Sequence, residues 1–168
     1  LTAWEDWLTF AIAFVTFLGV SQSVQEAEWV EGMPSLALVA FLGLLCGLLL
    51  ARSPLPQVVS HPLALIAGAA VVLWQMLALV PGDDWVARWD AFYDRLSHWL
   101  DLAESGGISN DTLPFILLVV ALTWLFAYLF AWSVFRWRNP WLALLPGGAA
   151  LFVNFTFSDQ SSLLAVLY

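Results

Sequence analysis

Lysine is absent from the 168 residues, and all five basic side chains are arginines. Cysteine occurs once, at Cys46, so no internal disulfide can form and the redox compartment cannot be read from it. Charge of either sign is scarce, at 11% of residues, and it falls in short clusters between long apolar runs. With 62% of residues hydrophobic, a soluble domain is excluded, because it could not hide so much apolar surface. The net charge of −8 gives no reason to expect a nucleic-acid partner.

What fills the chain instead is apolar sequence in helix-length pieces. Uncharged runs of 17 or more residues approach the ~20 that a helix needs to cross a hydrocarbon core of roughly 30 Å. Five spans are read at residues 7–24, 35–51, 63–80, 113–135 and 141–157, with a sixth beginning near 163. The expected fold is all-α, a polytopic membrane helix bundle of about five spans forming one transmembrane domain over 1–168. Pro34, Pro62 and Pro140 stand where helices open, and Ser53, Pro54 and Pro56 end the second span. Asn110 and Asp111 are read as caps of the fourth span, and Asn139 as the cap of the fifth.

Positively charged short loops stay in the cytoplasm, whereas acidic residues steer little. Arg52 follows the second span, and Arg136 and Arg138 follow the fourth, which places both loops and the N-terminus inside. The outward segments then hold eleven carboxylates against Arg88 and Arg95. Trp4, Trp7, Trp137 and Trp141 mark the inner headgroup level, and Trp29, Trp85, Trp89 and Trp99 the outer one. Trp74, Trp124 and Trp132 fall inside spans, as packing or lipid contacts.

Residues 84–104 are too charged to insert, yet their apolar positions recur at helical spacing. Trp85, Val86, Trp89, Phe92, Tyr93, Leu96, Trp99, Leu100 and Ala103 share one arc. Asp84, Arg88, Asp90, Asp94, Arg95, Ser97, His98, Asp101 and Glu104 share the other, with Asp84 and Arg88 spaced as an i, i+4 ion pair. This predicts an amphipathic helix on the outer surface, with Trp85, Trp89, Phe92, Leu96 and Trp99 as its interfacial anchors. A helix that docks another protein or an extramembrane domain is the alternative.

Chemistry is thinly provided. No span carries a charged residue at its middle, which argues against proton or ion-coupled transport. Cys46 is read as an inert packing residue, and neither His61, placed just before the third span, nor His98 has a second ligand at metal spacing. No catalytic, metal or cofactor site is therefore expected. The remaining special positions concern helix packing. Gly43 and Gly47 form a GxxxG, Ala64, Gly68, Ala69 and Ala70 a small-residue face, and Gln75 an interhelical hydrogen bond; Gly147 and Gly148, after Pro146, kink the fifth span.

Three stretches carry a resemblance: residues 21–34, SQSVQEAEWVEGMP; residues 106–111, GGISND; and residues 138–146, RNPWLALLP. Together they resemble the N-terminal transmembrane region of bacterial transglutaminase-like membrane proteins. The resemblance implies a bacterial cytoplasmic-membrane location and helices that precede an extracytoplasmic papain-like domain with a Cys-His-Asp triad. No such triad is present, so the catalytic domain is expected beyond Tyr168 or has been lost. A chain that opens on Leu1 and stops inside an apolar run reads as a fragment. The implied function is a membrane anchor or scaffold, with the bilayer and an extracytoplasmic domain as partners. The alternative is an accessory subunit of a larger respiratory or photosynthetic membrane complex, in contact with its other subunits.

Overall fold

The structure, a computed structural model, describes residues 3–26, 32–107 and 109–139, with the side chains of the first helix described from Trp7 to Gly19. Five α-helices follow in order: α1 (Ala3–Glu26), α2 (Leu36–Arg52), α3 (Gln57–Leu79), α4 (Trp85–Glu104) and α5 (Leu113–Phe135). No strand occurs among the described residues, so the fold they form is all-α. α3 and α5, at 23 residues each, are long and apolar enough to cross a membrane. α2, at 17 residues, and the apolar part of α1, Trp7–Gly19, are shorter. The fifth span at 141–157, the start of a sixth, Trp29, Trp141, Gly147 and Gly148 lie outside the described residues.

The helix ends are set locally. Ser35, in extended conformation, accepts a hydrogen bond from the Leu38 amide and opens α2, while Ser53 closes it with its own amide on the Leu50 carbonyl. α3 begins earlier than the sequence suggested, at Gln57 rather than at Pro62. Pro56 supplies the cap: its carbonyl accepts from the Val59 and Ser60 amides and from the Ser60 hydroxyl. Pro62 then lies inside the helix, in its second turn, rather than at its start. At α5 the carboxylate of Asp111 accepts from the Leu113 amide at 2.9 Å, and Asn110 takes no part in the cap.

The most extensive contact joins α2 to α5. Its basis is smallness. A Cβ added at Gly43 would stand 2.9 Å from the Ala127 Cβ, and one at Gly47 would stand 2.6 Å from the Ala131 Cβ and 2.7 Å from the Tyr128 carbonyl oxygen. Glycine on one helix and alanine on the other let the backbones meet, the chief source of packing energy where lipid removes the hydrophobic drive. The paired numbers rise together along both helices, so α2 and α5 run parallel. α1 lies against this pair through edge-on rings, Phe10 and Phe14 on Phe41 and Phe17 on Phe130.

α3 packs antiparallel to α5. Gly68 makes room for the Trp124 indole, whose Nε1–H donates to the Ala64 carbonyl at 3.2 Å. Ala64 and Gly68 are buried, but Ala69 and Ala70 are exposed, so the expected small-residue face is split. At 100° per residue the last two turn away from the first two by a large part of the helix circumference. Gln75, expected to make an interhelical hydrogen bond, is buried on α3, and its amide nitrogen has no hydrogen-bond partner among the described residues.

Candidate functional site

Polar side chains collect at the two ends of the bundle. At the first end meet the C-terminus of α2, the N-terminus of α3 and the C-terminus of α5. His61 Nδ1 and the Tyr128 hydroxyl are hydrogen-bonded at 2.7 Å, with the donor set by the imidazole tautomer. The Trp132 ring, fully buried, lies 4.8 Å from the His61 ring and 6.0 Å from that of Tyr128. Below it the Arg136 guanidinium stands 5.7 Å from the Trp132 ring centre. The same guanidinium donates to the carbonyls of Ala51 and Ser53, each at 3.2 Å, and of Leu55 at 3.4 Å. These are carbonyls that a helix C-terminus and its exit loop leave unpaired, so Arg136 both caps α2 and ties it to α5. The chain then turns sharply: Arg138 adopts a φ of 53°, and Ser133 and Asn139 exchange hydrogen bonds, hydroxyl to carbonyl and amide to carbonyl.

His61 therefore lies inside α3 rather than before it, and Tyr128 adds a second titratable group within a span-length helix; the sequence had drawn attention to neither as a pair. They are 67 residues apart. The available signal was the i, i+4, i+8 series Trp124, Tyr128, Trp132, three aromatics with polar tips on one face of α5. Chemically the cluster offers a hydrogen-bonded donor–acceptor pair and a buried indole that tie α3 to α5. Cys46 is half-buried against the same apolar cluster of Ala51, Ala64, Tyr128 and Trp132.

No family model matches the chain. Comparison with curated proteins and with solved structures returns no match either. Among the described residues no three His, Cys, Asp or Glu side chains stand together as a metal site.

The second end is covered by α4. Asp84 caps it, its carboxylate accepting from the Ala87 amide at 2.7 Å. Phe92 is buried in one cluster with Leu77 and Val80 at the end of α3 and Leu113 and Ile116 at the start of α5. The face turned to the bundle differs from the apolar arc read in the sequence. Arg88, Arg95, Leu96 and Trp99 are half-buried around Phe92, whereas Trp85, Val86, Trp89, Tyr93 and Leu100 are exposed. Two polar contacts account for the roll. Arg88, placed by spacing to pair with Asp84, donates through Nε to the Gly82 carbonyl at 3.0 Å instead. Arg95 grips Asp111 with two hydrogen bonds, Nε to Oδ2 at 2.9 Å and Nη2 to Oδ1, and Asp111 also holds the first amide of α5. The arginine stems pack while their heads find acceptors at the helix ends. The Arg95 hydrogen bond holds the Asp111 carboxyl below the usual carboxylate range, and the Asp111 hydrogen bond raises Arg95 in turn.

Proposed function

We propose that the chain is a membrane-embedded helical scaffold, with its arginine-bearing end in the cytoplasm and α4 on the outer face. In this reading it serves as the multi-span anchor region of a transglutaminase-like protein of a bacterial cytoplasmic membrane, and it carries no catalysis of its own. The observation that supports the membrane most directly is the bareness of the two long helices. The core helix of a soluble protein is mostly covered, but only 33% of the apolar stretch is buried in α3 and the same share in α5. Val58 is 83% exposed and Ile66 67% on α3, and Leu118 is 55% exposed on α5. In water each such side chain would forgo the ~1.5–3 kcal/mol that full burial brings. Facing acyl chains, it forgoes nothing.

The separation of charge supports the direction. Arg52, Arg136 and Arg138 share one end, and Asp83, Asp84, Asp90, Asp94 and Asp101 lie on or beside α4 at the other. Single cysteines at Gln57 and Ser105, both exposed, test it in a Cys46→Ala background. An impermeant thiol reagent should label position 105 in intact cells and position 57 only after permeabilisation. Equal labelling of the two before permeabilisation would overturn the topology.

A further inference from the structure

α4 has three sides, not two. With Phe92 as reference and 100° per residue, Arg88, Arg95, Leu96 and Trp99 lie within roughly 60° of it and are half-buried, while Trp85, at the start of the helix on the same side, is exposed. Asp90, Asp94 and Asp101 lie within roughly 20° of the opposite direction. Between them, at roughly 60–120°, stands a flank of Trp89, Leu100, Tyr93 and Val86, all exposed, with one carboxylate, Glu104, at its C-terminal end. A helix that merely capped the bundle would turn these four inward. The grip of Arg95 on Asp111 and of Arg88 on Gly82 turns them sideways instead.

We infer that this flank is a lipid-binding edge, seated at the headgroup–acyl boundary of the outer leaflet and suited to zwitterionic rather than anionic lipid. The inference rests on the membrane reading above. Three observations choose lipid as the occupant. The flank is at the right level: Phe92, on the same helix, packs among the residues that end α3 and begin α5, the two helices long enough to span. It therefore continues the bare apolar surface of those helices at its rim. Its composition, tryptophan and tyrosine beside valine and leucine, is that of side chains with an apolar body and a polar tip, which settle where the bilayer turns polar. Its neighbours decide the headgroup, because Asp90 and Asp94 border it and repel anionic phosphates that lack a compensating charge. Insertion then leaves Asp90, Asp94 and Asp101 in water with their hydration intact.

The full chain, Cys46→Ala, is reconstituted in phosphatidylcholine nanodiscs with single spin labels, and collision with oxygen and with a water-soluble nickel chelate is compared. Labels at Val86, Tyr93 and Leu100 should favour oxygen, those at Asp94 and Asp101 the chelate, and the controls at Ile66 and Leu118 oxygen most strongly. Replacing half the lipid with phosphatidylglycerol should shift the Tyr93 label toward the chelate. If the flank labels match Asp94 while Ile66 and Leu118 remain in lipid, the flank is solvated and the inference fails with the membrane reading intact. If Ile66 and Leu118 also meet the chelate freely, both fall. Flank labels shielded from both reagents would mean a protein covers them, which overturns the lipid assignment.

Discussion

Replacing Gly47 by alanine places a methyl group where α2 and α5 are closest. The new carbon would meet the Ala131 Cβ at 2.6 Å and the Tyr128 carbonyl oxygen at 2.7 Å. Ordinary contact between such atoms is about 3.5–4.0 Å, so the helices must part locally by about 1 Å. Neither neighbour can yield by changing rotamer, since one is a β-carbon and the other backbone. A gap of that size forfeits about a quarter to a half of the dispersion energy of each contact it opens, and overpacking of this kind costs about 1–3 kcal/mol. The backbone contact puts Gly47→Ala in the upper part of that range, less whatever the better helix propensity of alanine returns. Gly43→Ala, with its nearest atoms at 2.9 and 3.0 Å, should cost less. The double substitution should cost less than the two single ones together, because parting the helices for one methyl relieves the other.

The control is Gly19→Ala, where an added carbon meets nothing within 4 Å. Stability is read from reversible unfolding in mixed micelles by titration with SDS, followed by circular dichroism. The expected order of loss is Gly47→Ala, then Gly43→Ala, with Gly19→Ala at or above the parent. If Gly47→Ala unfolds where Gly19→Ala does, the helices do not meet at Gly47 and the parallel α2–α5 pairing is wrong.

The polar contacts give two further tests. Tyr128→Phe keeps the ring against Trp132 but removes the partner of His61 Nδ1, so the same titration should show a loss of about 0.5–1.5 kcal/mol; no change would mean the hydrogen bond contributes nothing to the α3–α5 contact. Because Asp111 titrates lower when folded than when unfolded, its contribution is present in full above the ordinary carboxylate range near ~3.9 and disappears as pH falls through the lowered folded value. With both partners partly exposed this is about 0.2–1 kcal/mol. Hydrogen exchange of the α4 amides should quicken in that window and in Asp111→Asn at neutral pH, and Asp111→Asn should no longer respond to acid there; an unchanged acid response would assign the effect to another carboxyl.

The sequence made the apolar helices legible and their partners illegible. Residues 113–135 stand out because nothing polar interrupts them except Thr123, Tyr128 and Ser133, and α5 has those bounds. The beginning of α3 was harder to read because two prolines compete for it; Pro56 wins by offering its carbonyl to three donors, which no propensity rule foresees. On α4, periodicity located the helix but not its roll. Hydrophobicity ranks Trp89 and Tyr93 above Arg88 and Arg95 as residues to bury, yet the roll follows the acceptors, Gly82 and Asp111, that the arginines can reach. The His61–Tyr128 pair was invisible for the same reason: a contact across 67 residues depends on the register of two helices, and each residue alone has an ordinary explanation.

That register has a consequence for orientation. Gly43 meets Ala127 and Gly47 meets Ala131, so α5 climbs with α2; His61 meets Tyr128 and Ala64 meets Trp124, so α5 descends as α3 climbs. The two sets of contacts use different chemistry, close backbone approach in one and hydrogen bonds in the other, and they agree on one arrangement. It brings the end of α2, the start of α3 and the end of α5 together and leaves α4 the opposite end. Arg136 completes that first end by reaching carbonyls at the end of α2 and in the α2–α3 link, 81 to 85 residues away in sequence. An arginine that satisfies three backbone carbonyls is fixed to the protein, but it still carries its charge to the same surface as Arg52 and Arg138. In the proposed topology, Arg136 is thus one of the positive charges that set orientation and also a group that holds α2 to α5. Loss of Arg136 would weaken the tie between α5 and the end of α2.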